Sequence, residues 1–114
     1  MATRDRTASG GTAYVEVHVT APDAATATHL AHLLVAERLA ACVQVVPGVS
    51  SVYRWEGGVE VAEEHLLLVK STADRFEAIR ERIRSVHPYD VPEVLAVPVV
   101  DIDEGYAGWV REST

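Results

Sequence analysis

The sequence predicts an α+β protein with a ferredoxin-like, split βαββαβ fold, in which two helices cover one face of an antiparallel sheet. Three observations lead to this prediction. The chain has 114 residues, enough for one domain with its own core but too few for two. Segments with strand and helix periodicity follow the order strand, helix, strand, strand, helix, strand. A Gly-Gly pair lies between the two central strands, which indicates a hairpin.

The first strand is predicted over residues 14–21, YVEVHVTA, where valines alternate with other residues as in a half-buried strand. The first helix is predicted within residues 21–40, and Asp23 is a good candidate for its N-cap. Its apolar stripe at helical spacing consists of Ala27, Leu30, Ala31 and Leu34.

A long β2–β3 hairpin is predicted from residues 42–55 and 59–71, with Gly57-Gly58 at its turn. Pro47-Gly48 interrupts the first arm. Because proline cannot donate to a strand ladder, this pair predicts a bulge or bend.

The second helix is predicted over residues 71–86, with Ser71 or Thr72 as its cap and an apolar stripe of Phe76, Ile79, Ile83 and Val86. The fourth strand, residues 93–100, contains Pro98 and is therefore expected at a sheet edge or a bulge. A short amphipathic helix is predicted near the C-terminus, within residues 103–112.

Composition limits the classes of function. Seventeen acidic against ten basic residues give a net charge of -7, which argues against binding to nucleic acid or to an anionic membrane. No segment reaches the roughly 18 apolar residues of a membrane span. Residues 1–12 are small, polar and glycine-rich, so we predict a disordered tail followed by a single domain over residues 13–112. The tail has no hydrophobic segment of a secretory signal, and the lone Cys42 is typical of a reducing compartment, so we expect a cytoplasmic protein.

Two of the strands are apolar on both faces. The segments HLLLV and VLAVPVV carry apolar residues at odd and even positions alike. Two helices can cover only one face of the sheet, and the other would remain a large exposed hydrophobic surface. The pattern therefore predicts an oligomer.

Few residues point to chemistry. Cys42 is most simply a small buried hydrophobe, because a reactive thiolate needs a nearby cation or base and none is adjacent in sequence. His29 and His32 lie three residues apart, close enough to share a metal, but two imidazoles alone are an incomplete site, and we interpret the pair as an exposed polar flank of the helix. We interpret Lys70 as the point where the third strand exits to water, with pairing to an acid as the alternative. No catalytic motif is recognisable, and we predict that the protein is not an enzyme.

The segment HPYDVPE, residues 87–93, combines a structural corner with groups that a corner does not need. Pro88 and Pro92 force extended backbone on the residues before them, which ends the second helix. They do not account for His87, Tyr89 and Glu93, whose donors and acceptors suit a binding site on a rigid corner.

Several segments together resemble the CutA, or divalent-cation tolerance, family. They are TAPD (20–23), ERLAACV (37–43), PGVSSVYRWEG (47–57), LLLVKST (66–72) and HPYDVPE (87–93). The resemblance covers residues 14–110. It implies a PII-like homotrimer involved in tolerance of copper and other divalent metals.

The resemblance also implies site residues. His87 and Cys42 match the family's histidine and cysteine and are the candidate metal ligands. Polar or aromatic positions of the family that could line an intersubunit pocket correspond to Tyr53, Trp55, Glu64, Lys70, Tyr89 and Glu93. Some copper-binding members have a cysteine where this chain has Val19 and a histidine where it has Val86. Weak Cu or Zn binding at subunit interfaces is therefore expected. The alternative is a PII-like trimeric regulator that binds a small molecule in that pocket.

Overall fold

A four-stranded antiparallel sheet with strand order β2-β3-β1-β4 organises the molecule, which confirms the predicted split βαββαβ topology. The computed structural model describes residues 13–114; the predicted tail, residues 1–12, lies outside the described residues. The elements in chain order are β1 (Tyr14–Ala21), α1 (Ala24–Ala36), β2 (Cys42–Trp55), β3 (Gly58–Thr72), α2 (Phe76–Val86), β4 (Val94–Pro98) and α3 (Glu104–Ser113), with a 3₁₀ turn at Ala73–Arg75.

The main core lies between the sheet and helices α1 and α2. Alternate side chains of the two central strands point into it, as the period of a strand requires. Its fully buried members include Val17, Val19, Leu67 and Val69 from the sheet and Leu30, Leu34, Ile79 and Ile83 from the helices. The predicted apolar stripes of both helices are thus confirmed. A smaller cluster joins Tyr14 and Ala41 to Ala107 and Val110 of α3.

The β2–β3 hairpin turns at Glu56 and Gly57, one residue earlier than predicted, and Gly58 already belongs to β3. Both turn residues have positive φ, 47° and 82°, as a two-residue type I′ turn requires. The predicted bulge at Pro47-Gly48 is confirmed. Val46 pairs with Leu66 and Val49 with Glu64, so two residues of β2 face one residue of β3.

The ends of the helices agree with the sequence at one cap and differ at another. The Asp23 carboxylate accepts a 2.8 Å hydrogen bond from the Thr26 N–H, which confirms it as the N-cap of α1. The prediction that Ser71 or Thr72 caps the second helix is wrong. The Ser71 hydroxyl donates to the Leu39 carbonyl, the Thr72 hydroxyl donates to Asp74, and α2 begins only after the 3₁₀ turn.

In the described part of the chain, no helix covers the centre of the other face of the sheet. In the register of the strands, Leu66 and Leu68 of β3 alternate with the core residues and lie on this face. Leu95 and Val97 of β4 share it and are 44% and 39% exposed. β4 is an edge strand, and it ends at Pro98, as predicted for a proline in this segment. Within residues 13–114, no helix is long and apolar enough to cross a membrane.

Candidate functional site

The corner after α2 fixes His87 in a buried position. Pro88 excludes the helical conformation at the residue before it. His87 accordingly has φ -74° and ψ 140°, while its N–H still bonds the Ile83 carbonyl and closes the helix. The side chain is 8% exposed and turns towards the end of β1.

Both ring nitrogens of His87 are engaged within the chain. Nε2 lies 2.8 Å from the Thr20 carbonyl oxygen, which can only accept, so Nε2 carries the proton. Nδ1 accepts a 3.1 Å hydrogen bond from the Tyr89 N–H. The imidazole is therefore held as its neutral Nε2–H tautomer and ties the corner to the central strand.

Tyr89 connects this corner to β3. Its hydroxyl donates a 2.9 Å hydrogen bond to Glu64 Oε2, and its ring lies 4.8 Å from the His87 ring, centroid to centroid. Tyr89 is partly exposed, but its hydroxyl reaches the side chain of Glu64, a residue that is only 7% exposed. Burial of the hydroxyl, followed by the Glu64 hydrogen bond, raises the pKa of Tyr89 to about 12.

A cleft of about 510 Å³ opens beside the Tyr89–Glu64 pair. It brings together Tyr53, Trp55, Glu64, Tyr89 and Glu93, which are five of the six residues proposed for a pocket from the sequence. The hairpin supplies the first three, and the corner supplies the others. The cleft is also lined by Thr20, Asp90 and Val91, which the sequence reasoning did not select, although Asp90 and Val91 lie within the HPYDVPE segment.

The sixth proposed residue, Lys70, lies elsewhere. Its interpretation as an exit to water is wrong, because the alternative of pairing with an acid is what the structure contains. Lys70 Nζ lies 3.0 Å from Glu16 Oε2, and His18 Nε2 lies 2.7 Å from Glu16 Oε1. The hydrogen bond to His18, followed by that to Lys70, lowers the pKa of Glu16 below its ordinary value.

Cys42 begins β2 and is partly buried. Its cross-strand partner is Lys70, a cation that sequence reasoning could not place beside it. His87 is hydrogen-bonded to Thr20, which pairs with Leu66 of β3. Cys42 pairs with Lys70, four residues further along the same strand. At about 3.3 Å per residue, this register separates the two candidate metal ligands by roughly 13 Å along the strand. They do not meet in a single chain.

Comparison with known proteins places this fold and these motifs in a family. The sequence profile described as CutA1 divalent ion tolerance protein matches residues 15–113. This chain belongs to the CutA1 family.

Its relatives agree in sequence and in structure. The divalent-cation tolerance protein CutA of Thermus thermophilus is 47% identical over 98 residues, which are 86% of this chain and 95% of that one. A solved CutA1 structure from the same organism superposes with a TM-score of 0.87 at 46% identity, over 89% of this chain and 98% of the other. These relatives are named for tolerance and not for a reaction.

The names of two other CutA1 relatives refer to compartments. The chloroplastic CutA of Arabidopsis thaliana is 42% identical over 100 residues, which are 88% of this chain and 55% of the relative. The Archaeoglobus fulgidus protein, called periplasmic, is 30% identical with a TM-score of 0.86, over 88% and 97% of the two chains. CutA1 proteins therefore occur under names that refer to different compartments.

The CutA1 family name raises the question of a cation site. Among residues 13–114, no group of three or more His, Cys, Asp or Glu side chains is arranged to hold a metal ion. His87 would have to give up the hydrogen bond from Tyr89 before Nδ1 could coordinate a metal. His29 and His32 are exposed on α1, as the simpler interpretation of that pair predicted.

Proposed function

We propose that this CutA1 family member takes part in tolerance of divalent cations and does so without catalysing a reaction. The observation that carries the proposal is the family match, which extends from residue 15, the second residue of β1, to residue 113, the last residue of α3. The test is growth on graded Cu²⁺ and Zn²⁺ of cells that lack their own CutA1 protein. We expect this chain to restore growth, and unchanged sensitivity with the protein well expressed would contradict the proposal.

We further propose that the protein is a homotrimer. The sheet face opposite α1 and α2, here called the helix-free face, supports an assembly, since Leu66 and Leu68 of β3 and Leu95 and Val97 of β4 place apolar side chains on it. The outer half of the hairpin adds Val52, Val59 and Val61, each about two-thirds exposed. Burial of these side chains against other copies would stabilise the assembly by about 25 cal/mol for each Å² of apolar area removed from water.

Assembly is tested by measuring molar mass with light scattering during size exclusion. The variant Val97→Glu places a charge on the helix-free face and should shift the protein to smaller species. Val35→Glu, at a comparably exposed position on α1, is the matched control and should keep the wild-type mass. A monomeric wild-type protein would overturn the proposal.

We propose that any metal is bound weakly, at interfaces where several copies each contribute a ligand. Cys42 is partly exposed at the start of β2 and is the more available of the two candidates, because His87 is engaged at both nitrogens. The Cys42 sulfur together with imidazole or carboxylate ligands from other copies would suit Zn(II), and imidazole with carboxylate ligands would suit Cu(II) or Zn(II). Titration calorimetry with Zn²⁺ should give weak binding that Cys42→Ala reduces. Unchanged binding in both Cys42→Ala and His87→Ala would remove these residues from the site.

A second candidate function is the binding of a small molecule in the aromatic and acidic cleft. The observation that favours it is the convergence of Tyr53, Trp55, Glu64, Tyr89 and Glu93 around a space of about 510 Å³. In a thermal-shift screen of metabolites without metal, at least one ligand class should raise the melting temperature of the protein. Loss of that shift in Trp55→Ala would place the ligand in the cleft.

A cytoplasmic location is also proposed. It is supported by the single cysteine, which is usual for proteins of a reducing compartment. Fractionation of the cells in which this protein occurs naturally should recover it with the cytoplasmic fraction, and recovery in another fraction would contradict the proposal.

A further inference from the structure

Glu64 is a largely buried acid that forms no ion pair among residues 13–114. The residue is 7% exposed, and its Oε2 accepts one hydrogen bond, from the Tyr89 hydroxyl. Among residues 13–114, no Lys, Arg or His forms an ion pair with it, and Oε1 accepts no hydrogen bond. Glu64 Oε1 keeps contact with solvent and can accept a hydrogen bond from a ligand. Glu64 lines the cleft, so a cation bound there would supply the missing partner.

The other residues that line the cleft indicate which kind of cation it would bind. Asp90 and Glu93 add two further acids at the cleft, and none of the lining residues is basic. The three rings of Tyr53, Trp55 and Tyr89 provide apolar area and π faces, which attract ammonium groups within about 6 Å. Trp55 is 59% exposed, which leaves its side chain accessible to a ligand in the cleft.

We propose that the cleft binds a protonated amine that carries a compact apolar or aromatic body. The ammonium group donates to Glu64 Oε1 and is balanced by Asp90 and Glu93, while the body packs on Tyr53 and Trp55. The inference rests on the second candidate function, the binding of a small molecule in this cleft, and specifies the chemical class of that molecule.

Other ligand classes fit these walls less well. An anion would face three carboxylates without a positive side chain. A bare divalent cation prefers several convergent oxygen or nitrogen ligands, and no such group of three is present among residues 13–114. Neither class uses the three aromatic rings.

Three probes of similar shape and different charge test the inference in the full-length protein. They are phenethylammonium, uncharged phenethyl alcohol and anionic phenylacetate, each titrated by calorimetry at neutral pH. We expect phenethylammonium to bind about tenfold or more tightly than the other two, since a charge-assisted hydrogen bond is stronger than a neutral one. Added salt should weaken its binding.

Matched variants locate the site. Glu64→Gln should weaken phenethylammonium binding by about tenfold or more, and Trp55→Ala by roughly tenfold. The controls Glu63→Gln, on the neighbouring exposed acid, and Val35→Ala, at an exposed position of α1 outside the cleft lining, should bind as the wild type does. If Glu64→Gln unfolds the protein, the exposed pair Asp90→Asn and Glu93→Gln gives the same test.

Two results would overturn the inference in distinguishable ways. Equal or tighter binding of phenethyl alcohol or phenylacetate, lost in Trp55→Ala, would leave the cleft as a small-molecule site and reject the ammonium class. The absence of binding by all three probes to the folded wild type would reject the ammonium class, and the wider metabolite screen then decides whether the cleft has any ligand. Neither result affects the proposal of cation tolerance, which the growth test decides.

Discussion

The Tyr89 hydroxyl donates a 2.9 Å hydrogen bond to Glu64 Oε2 and so joins the corner after α2 to the middle of the long hairpin. The two residues lie 25 positions apart in the chain. Because the corner is also tied to β1 through His87 and Thr20, three parts of the fold meet at the candidate cleft. The properties of this junction can be measured directly.

The Tyr89 phenol should make the protein sensitive to alkaline pH. Its pKa is raised from 10.0 to about 12 in the folded state, so folding favours the protonated phenol. The stabilisation is complete below about pH 10 and is lost as the pH rises towards 12. Urea unfolding across this range should show a decline that Tyr89→Phe reduces. Tyr106→Phe, an exposed tyrosine on α3, should keep the wild-type decline; the same decline in both variants would contradict the assignment.

His87 should act first as a structural residue. Its removal in His87→Ala loses two hydrogen bonds and leaves the Thr20 carbonyl and the Tyr89 N–H without their partner. We expect the free energy of unfolding to fall by about 2–3 kcal/mol. His32→Ala, at an exposed helix position, should change it by less than about 0.5 kcal/mol. An unfolding midpoint of His87→Ala equal to that of the wild type would show that the corner does not depend on the imidazole.

Glu16 should contribute to stability in mild acid. Its pKa is lowered by the hydrogen bond to His18 and then by Lys70, so the folded state favours the carboxylate. This stabilisation is present above the ordinary value of 4.5 and is lost as the pH falls through the lowered value. In Glu16→Gln the acid-induced loss over that range should be smaller by on the order of 1 kcal/mol. Glu81→Gln, on the exposed face of α2, should follow the wild type in thermal unfolding.

The hairpin turn allows a comparison of two adjacent glycines. Gly57 has φ 82°, a conformation that residues with a side chain adopt only at a cost in free energy. Gly58 lies in β3, where the Cβ of an alanine would be 3.8 Å from the nearest atom, the Trp55 carbonyl oxygen. Gly57→Ala should therefore destabilise the protein by about 1 kcal/mol. Gly58→Ala should be neutral within about 0.5 kcal/mol. Equal effects in chemical denaturation would contradict the importance of positive φ at this turn.

The fold was predictable where local pattern determines structure. Alternation at Val15, Val17 and Val19 identifies the buried face of β1, and Asp23 marks the start of α1 because its side chain reaches a backbone N–H three residues later. The Pro47-Gly48 bulge follows from the missing proline N–H. In each case the partners are close in sequence, so the sequence contains the relevant information.

Contacts between distant residues were harder to predict. Ser71 was expected to cap a helix, but it donates to the Leu39 carbonyl, 32 residues away. Lys70 meets Glu16 only because the β1–β3 register aligns them. The candidate site was predicted in part: the corner and hairpin residues were selected from family motifs, but the involvement of Thr20 depends on where the end of β1 lies relative to the corner.

The bulge at Pro47-Gly48 acts as a phase shift between two halves of one strand. On its inner side, even-numbered residues of β2 such as Cys42 oppose even-numbered residues of β3; on its outer side, odd-numbered residues such as Tyr53 do so. If one residue of the bulge were deleted, the strand would have to choose between two registers. If the pairing next to the turn were retained, Cys42 would move to the sheet face that packs on α1 and α2. If the pairing of the inner half were retained, Tyr53 would move to the face opposite Glu64. The extra residue thus allows β2 to pair with β3 in one register beside the core and in another beside the cleft.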